Sequence, residues 1–374
     1  MDDTKKIAII GASYLQLPLV KKAKEMGLYT VCFAWAEGAV CKDEADEFYP
    51  ISIVEKEQIL SVCCEKHIDG ICTIASDVAA PTVAYIAENM GLVGNSYEAA
   101  KRANNKYLMR QAFSAAGVPC PYYQMITSFE QLDSKKLQFP IIVKPTDRSG
   151  SLGITKLEKR MELQAAVETA MNCSFKHEAI VEEFVEGREI SVEFISYNGV
   201  HYPLQITDKV TTEAPHFVEL EHHQPATLTN EQYARIYDLT KRALNALGVT
   251  NGASHSEYKI TESGRIYVME IGARMGGDFI GSDLVRLSTG YDYLKGVIEV
   301  ALGEFEKPIF GERHHAGVFF LCEETKHLQS IIKEEKLPQI VRAEITDEAL
   351  RFVKCSADRS GFFIYQSDAK LELN

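Results

Sequence analysis

The sequence predicts an α/β protein in which a helix-covered parallel sheet precedes a longer region of mixed strands and helices. Three observations lead there. Over residues 5–95, short apolar runs alternate with segments at helical spacing, the pattern of βαβ units. Farther on, a near-continuous apolar run at 139–143 and a strand-like run at 179–184 are each followed by a polar, glycine-containing stretch. At 255–274, two strand-like segments flank Ser263-Gly264, a hairpin signal.

The bulk numbers fit a multidomain globular chain. With 374 residues and 46% hydrophobic content, two or three domains are expected. A net charge of −13 argues against a nucleic-acid partner, which calls for a basic surface. The 9 cysteines are irregularly spaced, with no C-x-x-C pair. That pattern suggests free thiols in the core, in a reducing compartment. No signal peptide is visible and no apolar run approaches the roughly 18 residues of a membrane span. A cytoplasmic protein without a membrane partner is expected.

Residues 5–10 form an apolar strand ending at Gly11-Ala12-Ser13, followed by a helix over 15–26 and a strand over 28–34. Backbone N–H groups at that strand–helix junction could receive an anion, although the stretch lacks G-x-G-x-x-G. A helix at 53–66, a strand at 70–74 and a helix at 78–89 complete a domain ending near Asn95. A helix over 104–116 is stopped by Gly117 and Pro119. The buried strand at 139–143 ends at Lys144-Pro145, which should project from the sheet edge. The polar loop 147–153, a strand from Ile154, a helix over 161–171 and two strands between 179 and 195 follow. Residues 207–229 are polar and irregular and read as a lid or binding loop. His222-His223 and His314-His315 read as surface residues. A one-faced helix covers 231–247. After the hairpin, Met275-Gly276-Gly277-Asp278 reads as flexible and 279–302 as mainly helical. The remainder reads as a small mixed element with strands at 317–321, 344–345 and 362–365 and a helix at 328–335.

The hairpin carries the chemistry. Alternation puts His255, Glu257 and Lys259 on one face of its first strand, and Ile266, Val268 and Glu270 on one face of its second. If Ser263-Gly264 is a two-residue loop, Glu262 pairs with Arg265 and Glu257 falls opposite Glu270. A three-residue loop would make that pair diagonal. Facing carboxylates repel, so a cation between them is expected, and Mg²⁺ suits two carboxylates plus phosphates. Arg274 would lie beside it, where an anion could bind. The plainer alternative is two solvated glutamates on an exposed face.

Lys144 at a strand end, a Ser/Gly loop rich in free N–H groups and a carboxylate pair together suit a nucleoside triphosphate. The sequence has no Walker motif, which excludes the P-loop class. The order of features over about 104–303 resembles the ATP-grasp superfamily. The matching pieces are Asn105-Lys106, Ile142-Val143-Lys144-Pro145, the Ser149-Gly150-Ser151-Leu152-Gly153 loop, the stretch from Val181 through Glu182, Glu183 and Val185 to Glu189, and Glu257 with Glu270-Ile271-Gly272-Ala273-Arg274. The resemblance implies an ATP-grasp fold over 104–303, a Rossmann-like pre-ATP-grasp domain over 1–95, and a small C-terminal α+β element over 304–374.

It also implies roles. Lys106 and Lys144 would contact ATP phosphates, and Lys209 would reach them from the lid. Ser149, Gly150, Ser151 and Gly153 would close over the β- and γ-phosphates. Backbone groups of Glu183 and Val185 would read adenine, with Glu182 nearby, and Glu189 would accept the ribose hydroxyls. Glu257 and Glu270 would ligate Mg²⁺, with Mn²⁺ as its alternative. Arg274 would steady the transferred phosphoryl group or the acyl phosphate. His255, on the same strand face as Glu257, reads either as a substrate contact or as a packed histidine. One departure stands out: the family often carries asparagine, a third metal ligand, where this chain has Gly272. One metal would then be held more loosely, or another residue would substitute.

The Glu270–Arg274 motif with Gly276-Gly277-Asp278 looks most like the amino-acid and dipeptide ligase branch. Biotin carboxylases and glycinamide-ribonucleotide enzymes are more distant resemblances. The implied function is an ATP-dependent carboxylate–amine ligase acting through an acyl phosphate on small carboxylates and amines, with amino acids the expected substrates. A homodimer would be in keeping with the family. The alternatives are a carboxylase-type or ribonucleotide-synthetase-like enzyme, and a non-catalytic ATP-binding accessory protein.

Overall fold

A computed structural model of the chain describes residues 4–148, 152–213, 216–334 and 337–373. Its first sheet is parallel, in the order β3-β2-β1-β4, from β1 (Lys6–Ile10), β2 (Tyr29–Phe33), β3 (Glu47–Tyr49) and β4 (Gly70–Cys72). β1 is central and apolar at every other position in both phases. Ile7 and Ile9 enter one core, Ala8 and Ile10 another, so helices cover both faces. The junction after β1 does not offer an open anion site. Gln16 folds back and its Oε1 accepts from Ser13 N at 3.0 Å and Ser13 Oγ at 2.7 Å, while its Nε2 donates to Ile74 O. A glutamine side chain occupies the place where an anion would sit.

The second sheet has the order β5-β8-β6-β7, from β5 (Tyr123–Ile126), β6 (Ile141–Pro145), β7 (Thr155–Leu157) and β8 (Ala179–Glu183). It is antiparallel and closed on one side by the helix Leu163–Cys173, whose Leu163, Val167 and Ala170 pack on Ile141 and Val143. Lys144 is on an interior strand and nearly buried, not projecting from a sheet edge.

The third sheet has eight strands in the order β13-β12-β9-β10-β11-β14-β16-β15. They are β9 (Arg188–Tyr197), β10 (Val200–Thr211), β11 (Glu219–Gln224), β12 (Gly252–Ile260), β13 (Ile266–Gly272), β14 (His315–Leu321), β15 (Ile340–Ile345) and β16 (Gly361–Ser367). The helix Asn230–Leu247 packs Ile236, Ala243 and Leu244 against it. Its start is set by a Thr229/Gln232 capping box and its end by Gly248.

Three expectations fail here. The two ends of the supposed lid, 207–211 and 219–224, are strands: β10 and β11 form an antiparallel pair within the sheet, with Asp208 opposite His223 and Lys209 opposite His222. The strands carry no apolar alternation because their polar groups satisfy one another in the interior. Gln224 Nε2 donates to Thr207 Oγ1 at 2.9 Å, and Asp208 Oδ2 accepts from Thr227 N at 2.9 Å. His222 and His223 are therefore buried rather than on the surface. His223 lies between the Tyr365 hydroxyl and Glu221. His314 and His315 are half-buried. The cysteines also divide: Cys32, Cys41, Cys63, Cys72 and Cys322 are buried, but Cys64 and Cys355 are exposed. Among the described residues no helix is long and apolar enough to cross a membrane.

Candidate active site

The β12–β13 hairpin sets Glu257 directly opposite Glu270, by a route different from the expected two-residue turn. Thr261 N donates to Arg265 O at 2.9 Å and Gly264 N to Thr261 O at 2.8 Å, so the loop holds three residues, Glu262, Ser263 and Gly264. Gly264, at φ 77°, supplies the left-handed position such a loop needs. Counting outward from that loop would leave the glutamates diagonal. A β-bulge between the Tyr258–Val268 and Glu257–Glu270 pairs inserts Met269 and restores them. The bulge also changes faces. Ile266 and Val268 join Tyr258 and Ile260 in the core. Glu270 does not share their face but turns to the other side with Glu257.

Each glutamate meets a different cation. Glu270 Oε1 is 3.0 Å from Lys106 Nζ. Glu257 Oε1 is 2.8 Å from Lys209 Nζ and 3.5 Å from His255 Nε2. Lys209 is nearly buried and also touches Glu189 at 3.0 Å and Glu219 at 3.4 Å. Burial opposes its charge, but these three carboxylates hold its pKa well above the ordinary lysine value. Burial alone would raise Glu257; Lys209 and then His255 hold it well below the carboxylate range instead. His255 is disfavoured as a cation by burial, yet Glu193, 2.5 Å from its Nδ1, carries it to about 9. The opposite oxygen of Glu193 accepts from Gly276 N at 3.2 Å.

Two carboxylates facing each other among lysines are oxygen donors suited to a hard divalent cation. Among the described residues no cluster of three or more acidic, His or Cys side chains is arranged to hold a metal. An ion between Glu257 and Glu270 would draw its other ligands from water or phosphate oxygens.

On the neighbouring sheet, Glu182 is fully buried between two cations. Its Oε2 lies 2.5 Å from Lys144 Nζ and its Oε1 2.5 Å from Arg110 Nε. Burial would raise the Glu182 pKa; Arg110 and Lys144 override it and hold the carboxyl at about 2. Among the described residues, Nη1 and Nη2 of Arg110 have no hydrogen-bond partner. Lys106 Nζ donates to Arg148 O at 2.8 Å, beside the start of the glycine loop. Ser149, Gly150 and Ser151 lie outside the described residues. Gly153 adopts φ 72°, and a Cβ there would meet Cys173 at 2.8 Å. Glu183 ends β8, and Val185 follows it, nearly buried. Glu189 on β9 is bound by Lys209 and, at 2.9 Å, by Lys259.

Arg274 Nη2 lies 2.6 Å from Asp77 Oδ2, which comes from the segment between β4 and the helix Ala80–Met90. That contact accounts for Gly272: a Cβ there would lie 2.5 Å from Asp77 Oδ1 and 3.1 Å from Arg274 Cζ. The space an asparagine would need is filled by an aspartate from elsewhere in the chain. Gly272→Ala is expected to cost about 1–3 kcal/mol of stability by overpacking, read as a lower urea midpoint at unchanged m-value.

Arg110, Asp77, Glu193 and Glu219 were not anticipated. Arg110 had a local signal, a charge on the helix face of Lys106, Met109 and Phe113, all buried. The other three meet the site only through long-range packing.

Residues 137–283 match the family model described as an ATP-grasp domain. Alanine–anticapsin ligase of Bacillus subtilis is 30% identical over 246 residues, 59% of this chain and 51% of that protein. The chain spans about half the length of the first curated relatives it matches. Among solved structures, the L-amino acid ligase from Bacillus licheniformis superposes with TM-score 0.79 at 23% identity, covering 99% of this chain and 95% of that one. The phosphoribosylglycinamide synthetase from Anaerococcus prevotii superposes with TM-score 0.78 at 23% identity, covering 98% and 95%. The family match places an ATP-grasp domain over residues 137–283, and the superpositions, with the parallel N-terminal sheet and the two antiparallel sheets, give the chain the ATP-grasp fold.

Proposed function

We propose that the protein is an ATP- and Mg²⁺-dependent carboxylate–amine ligase that uses amino acids as substrates. The observation that carries this reading is the Glu257–Glu270 pair with Lys106, Lys209 and Arg274 gathered around it. Mg²⁺, held by Glu257 and Glu270, would neutralise charge on the phosphates and on the phosphoryl group in flight.

This chain's own groups supply the rest. Lys106 and Lys144 present ammonium groups to the phosphate chain. Arg274 steadies the phosphoryl group as a substrate carboxylate oxygen bonds to the γ-phosphorus and the bond to ADP breaks. An amine nitrogen then bonds to the acyl carbon, phosphate leaves with the acyl oxygen, and the nitrogen loses its proton. His255, held charged by Glu193, offers a donor beside the reacting carboxyl. Glu189 accepts the ribose hydroxyls, and the backbone at Glu183 and Val185 reads adenine. The relative named an alanine–anticapsin ligase supports an amino acid as one partner. The packing of Asp77 on Gly272 gives the glycine a steric reason that is independent of turnover.

The test is phosphate release from ATP and Mg²⁺ with amino acids singly and in pairs. The reading expects release that needs two amino acids, with a dipeptide mass in the product. Release with bicarbonate and no organic acid would point to a carboxylase-type enzyme. ATP binding without release under any pairing would point to an accessory protein.

A further inference from the structure

A cavity of about 1130 Å³ opens beside this site, walled by the N-terminal domain at Tyr14 and Ile74, by Gly276 and Gly277, and by Phe320 and Phe362 of the C-terminal strands. Among its charged lining residues, Asp278 and Arg359 pair with each other beside its aromatic wall. Asp278 ends the Met275-Gly276-Gly277-Asp278 segment, and Arg359 comes from the loop before β16. Arg359 Nη1 and Nη2 each lie 3.0 Å from the Asp278 carboxylate, Nη2 reaching both oxygens. The guanidinium lies 3.9 Å over the Phe320 ring. Asp278 and Phe279 are consecutive non-glycine residues at φ 48° and 65°. Strain of this kind persists where the surroundings enforce it, and it clusters at ligand clamps. Gly276 ties the wall to the reaction centre through Glu193, which also holds His255.

We propose that this cavity receives the amine-donating substrate as a free α-amino acid, with its ammonium at Asp278 and its carboxylate at Arg359. The inference rests on the ligase reading. A carboxylate and a guanidinium that satisfy each other in the bare pocket present the reciprocal of a zwitterion. A neutral ligand would break the pair without replacing it. The amine donor is the partner that fits. Its own carboxylate does not react and can stay on Arg359 throughout, whereas the carboxylate being activated must lie at Arg274 and the phosphates. Phe279, Phe320 and Phe362 form a contiguous aromatic wall, so the favoured side chain is apolar or aromatic.

The test is calorimetry on the full chain saturated with MgADP, titrated with the twenty L-amino acids and with the amide and N-acetyl derivative of each binder. Asp278→Asn, Arg359→Gln and the double variant are titrated alongside. The double variant leaves no lone charge, and retained MgADP affinity shows that each variant is folded. The proposal expects an apolar or aromatic amino acid to bind. It also expects about 10–100-fold weakening on amidation, on N-acetylation and in each single variant. Binding unchanged in the double variant would overturn it, as would no amino acid binding the wild type that binds MgADP. Phosphate release sustained by amines lacking a carboxylate would overturn this inference while leaving the ligase reading intact. Absence of any ATP turnover would sink the ligase reading itself.

Discussion

Glu270→Gln yields a folded protein that binds ATP and releases phosphate roughly 10²–10³-fold more slowly than the wild type. Glutamine keeps the volume and one oxygen of glutamate but removes the charge. In the bare site Glu270 is paired with Lys106; in the loaded site it would face the cation shared with Glu257 across the ladder. Glu257→Gln should act alike, with a further consequence. Glu257 is one of three carboxylates gathered on Lys209, so its loss weakens the charge balance around a nearly buried ammonium. Steady-state phosphate release beside a urea titration separates the two effects: turnover falls in both variants, and the midpoint falls more for Glu257→Gln. Full turnover in Glu270→Gln would remove this carboxylate from the chemistry.

The second large effect is on stability. Glu182→Gln strips the counter-charge from Arg110, which is fully buried, and from Lys144, which is nearly so. Breaking a buried ion pair by removing one member costs about 3–5 kcal/mol, because the remaining charge stays desolvated. The control replaces the whole group. Arg110→Met with Lys144→Met and Glu182→Leu is expected to recover most of that stability, since apolar substitution of an entire buried cluster is often neutral, while weakening ATP binding through the lost Lys144. The same carboxylate predicts an acid limb. Its folded pKa of about 2 lies below the ordinary value, so its contribution is fully present above the unfolded glutamate pKa of about 4.3 and fades as pH falls toward 2. Chemical denaturation across that range should show this slope in the wild type and lose it in Glu182→Gln.

How much was legible in the sequence depended on whether local pattern or distant packing decided the outcome. The N-terminal βαβ units were legible because β1 is apolar on both faces, and the helix ending at Gly248 because its caps are local. The Glu257–Glu270 pairing was legible for a partly wrong reason. The loop is one residue longer than expected, and a bulge at Met269, which no local pattern marks, compensates for it. The pair of strands within 207–229 was not legible, because Thr207, Asp208, Lys209, His222, His223 and Gln224 are buried without being apolar. Their reason for being strands is the polar network they make with one another. The steric reason for Gly272 is not legible either: Asp77 presses against it, and nothing near residue 272 announces residue 77.

The central claim is that a carboxylate is activated by transfer of the γ-phosphoryl group to it. The measurement that tests this most directly uses a carboxylate substrate labelled with oxygen-18, incubated with ATP, Mg²⁺ and the amine partner, followed by mass analysis of the phosphate released. One labelled oxygen per phosphate, with unlabelled ADP, is the predicted result. Phosphate free of label, with amide product still forming, would contradict the acyl-phosphate route.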